Sequence, residues 1–449
     1  MYRGLNAFDS DDFPRKEMTM KEIFAPLEIL LGEVARWNDV HLDFTDLPHD
    51  TKFPNYPVSV LTMLESFSVR TFQPHPRHTT SLVPNYMKWI SSIAESSPSL
   101  QKFATYGGGS ISHLSGYNST HSVPWGRLTS LTLERVSEKL ALYILQSSSS
   151  LVECTFSDMG HYIDWNYDLH HAEPQLRDDI MVNGLEKLSV TAQHDLDVFW
   201  THLIVPNLQE LDIYMLPSSR QWHQGEDLVQ CLTRSGSVLD AGPVPIPGLA
   251  TGVPSNTFTR GPPISRLVLR NCNMRSRLGA CAMLLSESLR EVAVIDQAIV
   301  DDTIIKLLTL PDMAEAAPED DGGDGDGAKT SQMLCPRLEQ LTLIRCISAS
   351  DGLTSQMVRS RWLPSTTNVA DAEDEEDNEL ANAPRKLKFV RIEFSNPQHG
   401  EDVYQLEEMY DEGLKGRVGM KRNVELIKRK VVNPIPANVP VLQRPPLWG

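Results

Sequence analysis

The sequence predicts an α/β solenoid: parallel strands side by side on one face, with helices and loops outside. Three observations predict it. A short phrase, a large apolar residue followed by others three and five positions on, returns eleven times. Its clearest copies are Leu128-Leu131-Leu133, Leu208-Leu211-Ile213, Ile264-Leu267-Leu269 and Leu338-Leu341-Leu343. Helix-like segments fall between the copies, as a strand–helix array needs. The pattern L-x-x-L-x-L is the strand segment of a leucine-rich repeat, whose coils stack so that each buries only against its neighbours.

The copies start at Trp37, Leu64, Leu100, Leu128, Leu151, Leu185, Leu208, Ile264, Leu289, Leu338 and Leu387. Half of the ten intervals are repeat-sized, at roughly 20–29 residues, and the longer ones carry loops or inserts. Helices are expected at Met18 to Ala35, at Ser137 with a capping serine, and near Asp195, Thr303 and Asp402. Two copies extend to a ninth position occupied by cysteine, Cys272 and Cys346. That position turns inward after the strand, so these thiols are expected to be structural and inert.

The resulting organisation is an N-terminal segment at 1–22, a solenoid over 23–430, and a Pro-rich tail at 431–449. Inserts are expected at 217–263 (a Pro/Gly-rich surface loop), 314–330 and 365–383. The last two hold thirteen carboxylates in the windows Glu315 to Asp326 and Asp371 to Glu379, out of a net charge of −18. Their composition points to disorder, and it leaves the remaining body only mildly acidic.

No basic stripe suggests nucleic acid or an anionic membrane as partner. There is no signal-peptide pattern and no apolar run long enough for a membrane helix. Six dispersed cysteines without CxxC fit a reducing compartment, cytoplasmic or nuclear. The lone sequon at Asn118 is read as chance, and a monomer outside any complex is expected.

Chemistry is sparse. Gly107-Gly108-Gly109-Ser110 lacks the Lys-Ser/Thr ending of a phosphate loop. His161, His170 and His171 with Asp164 and Asp168 form the most reactive-looking cluster, and a hydrolase there is the minor alternative. Adjacent histidines, however, point to different sides of a regular element and make a poor metal pair. Gly322 begins a single GGDGDG without the final glutamate of a calcium loop. No cofactor, no metal and no catalytic set is expected; the protein is read as a non-enzyme.

Binding residues are read from the strands. With the phrase letters turned inward, the alternate positions face out: Glu153, Thr155, Lys187, Ser189, Glu210, Asp212, Tyr214, Arg266, Val268, Arg270, Ala293, Ile295, Thr342, Ile344, Phe389 and Arg391. This face passes from acidic through a basic pair to apolar. Exposed aromatics and arginines are the usual anchors of protein interfaces, so Tyr214, Arg266, Arg270, Phe389 and Arg391 are the expected protein-binding residues.

The run Pro124-Trp125-Gly126-Arg127-Leu128-Thr129-Ser130-Leu131-Thr132-Leu133, the LALYILQSSSSLVECTF that follows, and the earlier Arg36-Trp37 strand entry resemble the fungal (mushroom-type) F-box family with leucine-rich-repeat-like domains. The likeness covers roughly Ile23 to Phe394. It implies a substrate receptor in which an N-terminal F-box docks a Skp-type adaptor and the repeats present a protein to a cullin ubiquitin ligase. The sequence departs from the family at its start. Ala25-Pro26-Leu27-Glu28-Ile29-Leu30-Leu31 is similar to the box opening, but the first repeat strand follows too soon for a complete three-helix box. The alternative is a stand-alone repeat scaffold with no ubiquitin link.

Overall fold

The computed structural model describes residues 32–44, 60–71, 85–107, 123–160, 179–216, 225–240, 261–272, 277–296, 299–310, 334–362 and 386–420, with residues 25, 29 and 274. The chain divides into two compact units, 1–289 and 290–449.

The first unit carries eight strands, each parallel to the next: β1 (Asp39–Phe44), β2 (Ser66–Thr71), β3 (Lys102–Tyr106), β4 (Ser130–Glu134), β5 (Glu153–Met159), β7 (Lys187–Ala192), β9 (Glu210–Met215) and β10 (Arg266–Arg270). Two short strands, β6 (Ile180–Met181) and β8 (Leu203–Ile204), pair with each other. Helices α1 (Asn85–Glu95), α2 (Glu138–Ser147), α3 (Asp197–His202), α4 (Gly225–Asp240) and α5 (Leu278–Leu284) fill the crossovers. The second unit repeats the plan with β11 (Glu291–Ile295), β12 (Gln340–Ile344), β13 (Phe389–Phe394) and β14 (Gly416–Met420), and with α6 (Asp302–Leu308), α7 (Leu353–Trp362) and α8 (Gly400–Asp411). Parallel strands alternating with helices are the architecture of a leucine-rich-repeat-like solenoid.

All eleven phrases deliver a strand, and each strand begins two residues after the phrase does. The phrase letters are buried: Leu128, Leu131 and Leu133 are at most 1% exposed, as are Leu338, Leu341 and Leu343. Burying one such side chain contributes about 1.5–3 kcal/mol, so three per coil decide which face turns inward. Aromatics join successive coils. Phe67 and Phe103 lie 6.2 Å apart, and Phe103 meets Trp125 edge-on at 6.1 Å. Trp125 opens a 3-10 turn (Trp125–Arg127) and is buried. The Pro-Trp pair therefore serves packing.

Strand exits are made by residues in the left-handed region. Arg135, Asn271, Asp296 and Arg345 follow β4, β10, β11 and β12 with φ of 60°, 56°, 69° and 54°. Their side chains find polar partners nearby: Arg135 Nε lies 3.3 Å from Asp158, Asn271 Nδ2 donates to the Met215 carbonyl at 2.7 Å, and Arg345 pairs with Asp296. Cys272 and Cys346 sit just after two of these turns, fully buried, and burial pushes both thiols up. Their structural reading holds.

Carboxylates cap helices across coils. Ser137 caps α2 locally, accepting from Leu140 N at 3.3 Å, and Asp301 caps α6 through Ile304 N at 3.0 Å. Glu138, buried in α2, accepts from Phe199 N of α3 at 2.8 Å. Each such contact satisfies a helix-start N–H that its own helix cannot.

Three readings of the sequence differ from the structure. The stretch 217–263, expected as a surface loop, contains α4, whose Leu228, Cys231 and Leu232 are buried. Their i, i+3, i+4 spacing is helical, but the Pro/Gly-rich flanks hide it. Val268, Ala293 and Ile344, expected to face out, are buried at 2%, 7% and 7% exposure. The strand β14 carries no phrase, because glycine occupies its first inward position. The segments 1–22, 314–330, 365–383 and 431–449, most of the expected helix at Met18 to Ala35, and Asn118 lie outside the described residues. No helix among the described residues is long and apolar enough to cross a membrane.

Candidate interaction surface

The face of each sheet opposite the phrase letters is built from equal offsets. Parallel in-register pairing sets Glu153, Lys187, Glu210 and Arg266 side by side across β5, β7, β9 and β10. All four stand two residues after their phrase starts. Their signs alternate, and their contacts follow: Lys187 Nζ is 3.4 Å from Glu153 and 3.2 Å from Glu210, and Arg266 is 3.6 Å from Glu210. Hydrogen bonding to Glu210 and then Glu153 raises the Lys187 ammonium.

One step along the strands, Asp212 lies opposite Ser189 and Val268 and pairs with Arg270 at 3.5 Å. Partial burial pushes the Asp212 carboxyl up, against the pull of Arg270 and Arg266. Tyr214, half-buried, lies between Thr191 and Arg270 in register. At the first strands Arg70 lies 3.9 Å from Asp43 and 5.6 Å from the Tyr106 ring centroid.

The expected binding residues thus fall into two groups. Tyr214, Arg266 and Arg270 are neighbours in the first unit, where both arginines are engaged with Glu210 and Asp212. Phe389 and Arg391 stand on β13 of the second unit. Phe389 is 39% exposed, and Arg391 is exposed with no carboxylate within ion-pair distance among the described residues. Sequence reasoning missed Arg417 of β14, exposed and directly in register with Arg391. Its signal was the alternation in Gly416-Arg417-Val418-Gly419-Met420, too weak without leucines.

Among the described residues, one group of metal-ligating atoms converges: Asp351, His399 and Asp402, all within 4.8 Å of one another. Their hydrogen bonds explain the arrangement. Asp351 accepts from Glu401 N (3.0 Å) and Asp402 N (2.9 Å) at the start of α8. Asp402 returns the exchange, accepting from Ser355 N of α7 at 2.7 Å and pairing with His399 Nδ1 at 3.1 Å. His399 stacks on Phe394 with centroids 4.6 Å apart. Helix starts attract anions and repel cations, so this is a reciprocal pair of helix caps. The 161–171 histidine segment lies outside the described residues, as do Gly108 to Ser110 and Gly322.

Comparison with family models, with curated proteins and with solved structures finds no match.

Proposed function

We propose that the chain is a non-catalytic protein-recognition solenoid, working like the substrate-binding part of an F-box ubiquitin-ligase receptor. The observation that carries the recognition half is the division of labour within each strand. Invariant apolar offsets are consumed by packing, while the alternate offsets present variable charged and aromatic side chains on an open face. Stacked coils that leave charged and aromatic strand positions exposed are suited to protein contact. The ligase half rests on the sequence resemblance alone.

Two experiments test the halves separately. The full chain is mixed with a purified Skp-type adaptor and cullin; co-elution supports the receptor role, and its absence leaves a stand-alone scaffold. For recognition, proteins recovered by the wild-type chain from cell extract are compared with those recovered by R266E/R270E and by F389S. Loss of specific species from either variant is the expected result. Identical recovery by all three chains removes the open face from the binding model.

A further inference from the structure

We infer that the open face of β13 and β14 is a docking site for an acidic peptide segment, with Arg391 and Arg417 as its anion-binding pair and Phe389 as its apolar anchor. This rests on reading the open face as protein-binding and names the partner's chemistry.

The argument begins from an imbalance between the units. On the first unit's open face Lys187, Arg266 and Arg270 each lie 3.2–3.6 Å from a carboxylate. On the second, Arg391 and Arg417 are set opposite each other by the parallel register. Adjacent strands run about 4.8 Å apart, so two exposed guanidinium side chains rise from neighbouring positions. Neither has a carboxylate within ion-pair distance among the described residues. Lys415, also exposed, extends the positive area beside Phe389, its carbonyl accepting from Val390 N at 2.9 Å. Like charges placed directly across a sheet are destabilising, and among the described residues no ion pair offsets them. An incoming carboxylate does, and two planar forks suit it in bidentate geometry.

The neighbourhood favours a peptide over a polyanion. Phe389, in register with Gln340 of β12, puts an exposed ring beside the cations. An aromatic next to arginine is the composition of a protein hot spot. Glu393, in register with Gly419, closes the positive area one step along the strand. The net charge of the whole chain, −18, opposes a long, uniformly charged nucleic-acid backbone more than a short peptide.

The test is fluorescence polarisation on the full chain with a labelled peptide of alternating glutamate and leucine, its glutamine–leucine isostere, and a single-stranded oligonucleotide of equal charge. The acidic peptide is expected to bind, with affinity falling as salt rises and dropping about tenfold or more in R391Q/R417Q. R391K/R417K, which keeps charge but loses the fork, should fall between. A circular-dichroism melt checks that each variant folds, and the exposed positions make folding tolerant of these changes. No acidic-peptide binding up to about 1 mM, unchanged affinity in R391Q/R417Q, equal binding of the isostere, or tighter binding of the oligonucleotide would each overturn the assignment. If the peptide fails while F389S still loses proteins from extract, the recognition reading stands and only the acidic ligand falls.

Discussion

Replacing Arg361 with methionine should open the second unit locally by about 3 kcal/mol. Arg361 sits on α7 with no exposed surface and, among the described residues, no carboxylate partner. Its guanidinium instead donates to three backbone carbonyls: Leu308 at the end of α6, Leu334 at 2.5 Å and Cys335 at 2.9 Å. Burial lowers its pKa to about 10, so it remains charged at neutral pH. Three acceptors left without a donor cost about 1–3 kcal/mol each. Against this, an apolar replacement removes the several kcal/mol spent on burying the ion. The balance is roughly 3 kcal/mol, about a hundredfold in the opening equilibrium. Hydrogen–deuterium exchange of the intact chain reads it where it occurs, in peptides covering 302–310 and 334–362. Arg361→Lys should recover only part of the loss, since one ammonium cannot span three carbonyls. Protection within about 0.5 kcal/mol of wild type in R361M would refute the clamp, because surface-like substitutions have that size.

Burial alone would raise the Asp351 carboxyl, but the N–H groups of Asp402 and Glu401, with His399, hold it below its ordinary 3.8. A depressed carboxylate stabilises above the unfolded-state pKa and loses that contribution as pH falls through the folded one. Asp351→Ala should therefore cost about 1 kcal/mol at neutral pH as a lost cap and flatten the unfolding limb below about pH 4, followed by circular dichroism. In Gly416→Ala the new Cβ would lie 1.6 Å from the Val390 carbonyl oxygen at φ +149°, so β14 should detach. Amides of 416–420 would then exchange at solvent rates while β12 and β13 stay protected, and retained protection there would contradict the register. Arg417→Gln removes a like-charge neighbour and should raise stability by a few tenths of a kcal/mol, at the low end of about 0.2–1 for an exposed pair. A clear fall in Tm would mean the arginine pair is held by contacts that the register does not suggest.

The strands were legible because the phrase letters mark the side chains that each coil buries on one face. Leu128, Leu208, Ile264 and Leu338 each mark a strand two residues ahead. The features that the sequence hides depend on neighbours rather than on local pattern. In α4, Leu228 and Cys231 were masked by flanking glycines and prolines. In β14, a backbone contact with Val390 demands glycine where the pattern demands leucine. The outward positions were half legible. Glu153, Lys187, Glu210 and Arg266 share an offset, so a parallel register alone makes them neighbours. That Val268, Ala293 and Ile344 are nonetheless buried does not follow from alternation, which gives a side chain's direction but not what lies over it.

The same offset rule explains why the two units offer different terms to a ligand. In the first, any anion approaching Arg266 or Arg270 competes with Glu210 or Asp212, and any cation competes with Lys187 or the arginines. A charge-assisted contact there replaces an existing one, so its net worth is small and lies in orientation. In the second, the register sets Arg391 and Arg417 opposite each other, so under the proposed docking a carboxylate between them would gain attraction without displacing a described ion pair. Alternating signs are what sheet packing favours for stability. Two like charges in register at Arg391 and Arg417 depart from that rule, and such local conflicts are what the proposed docking site would use.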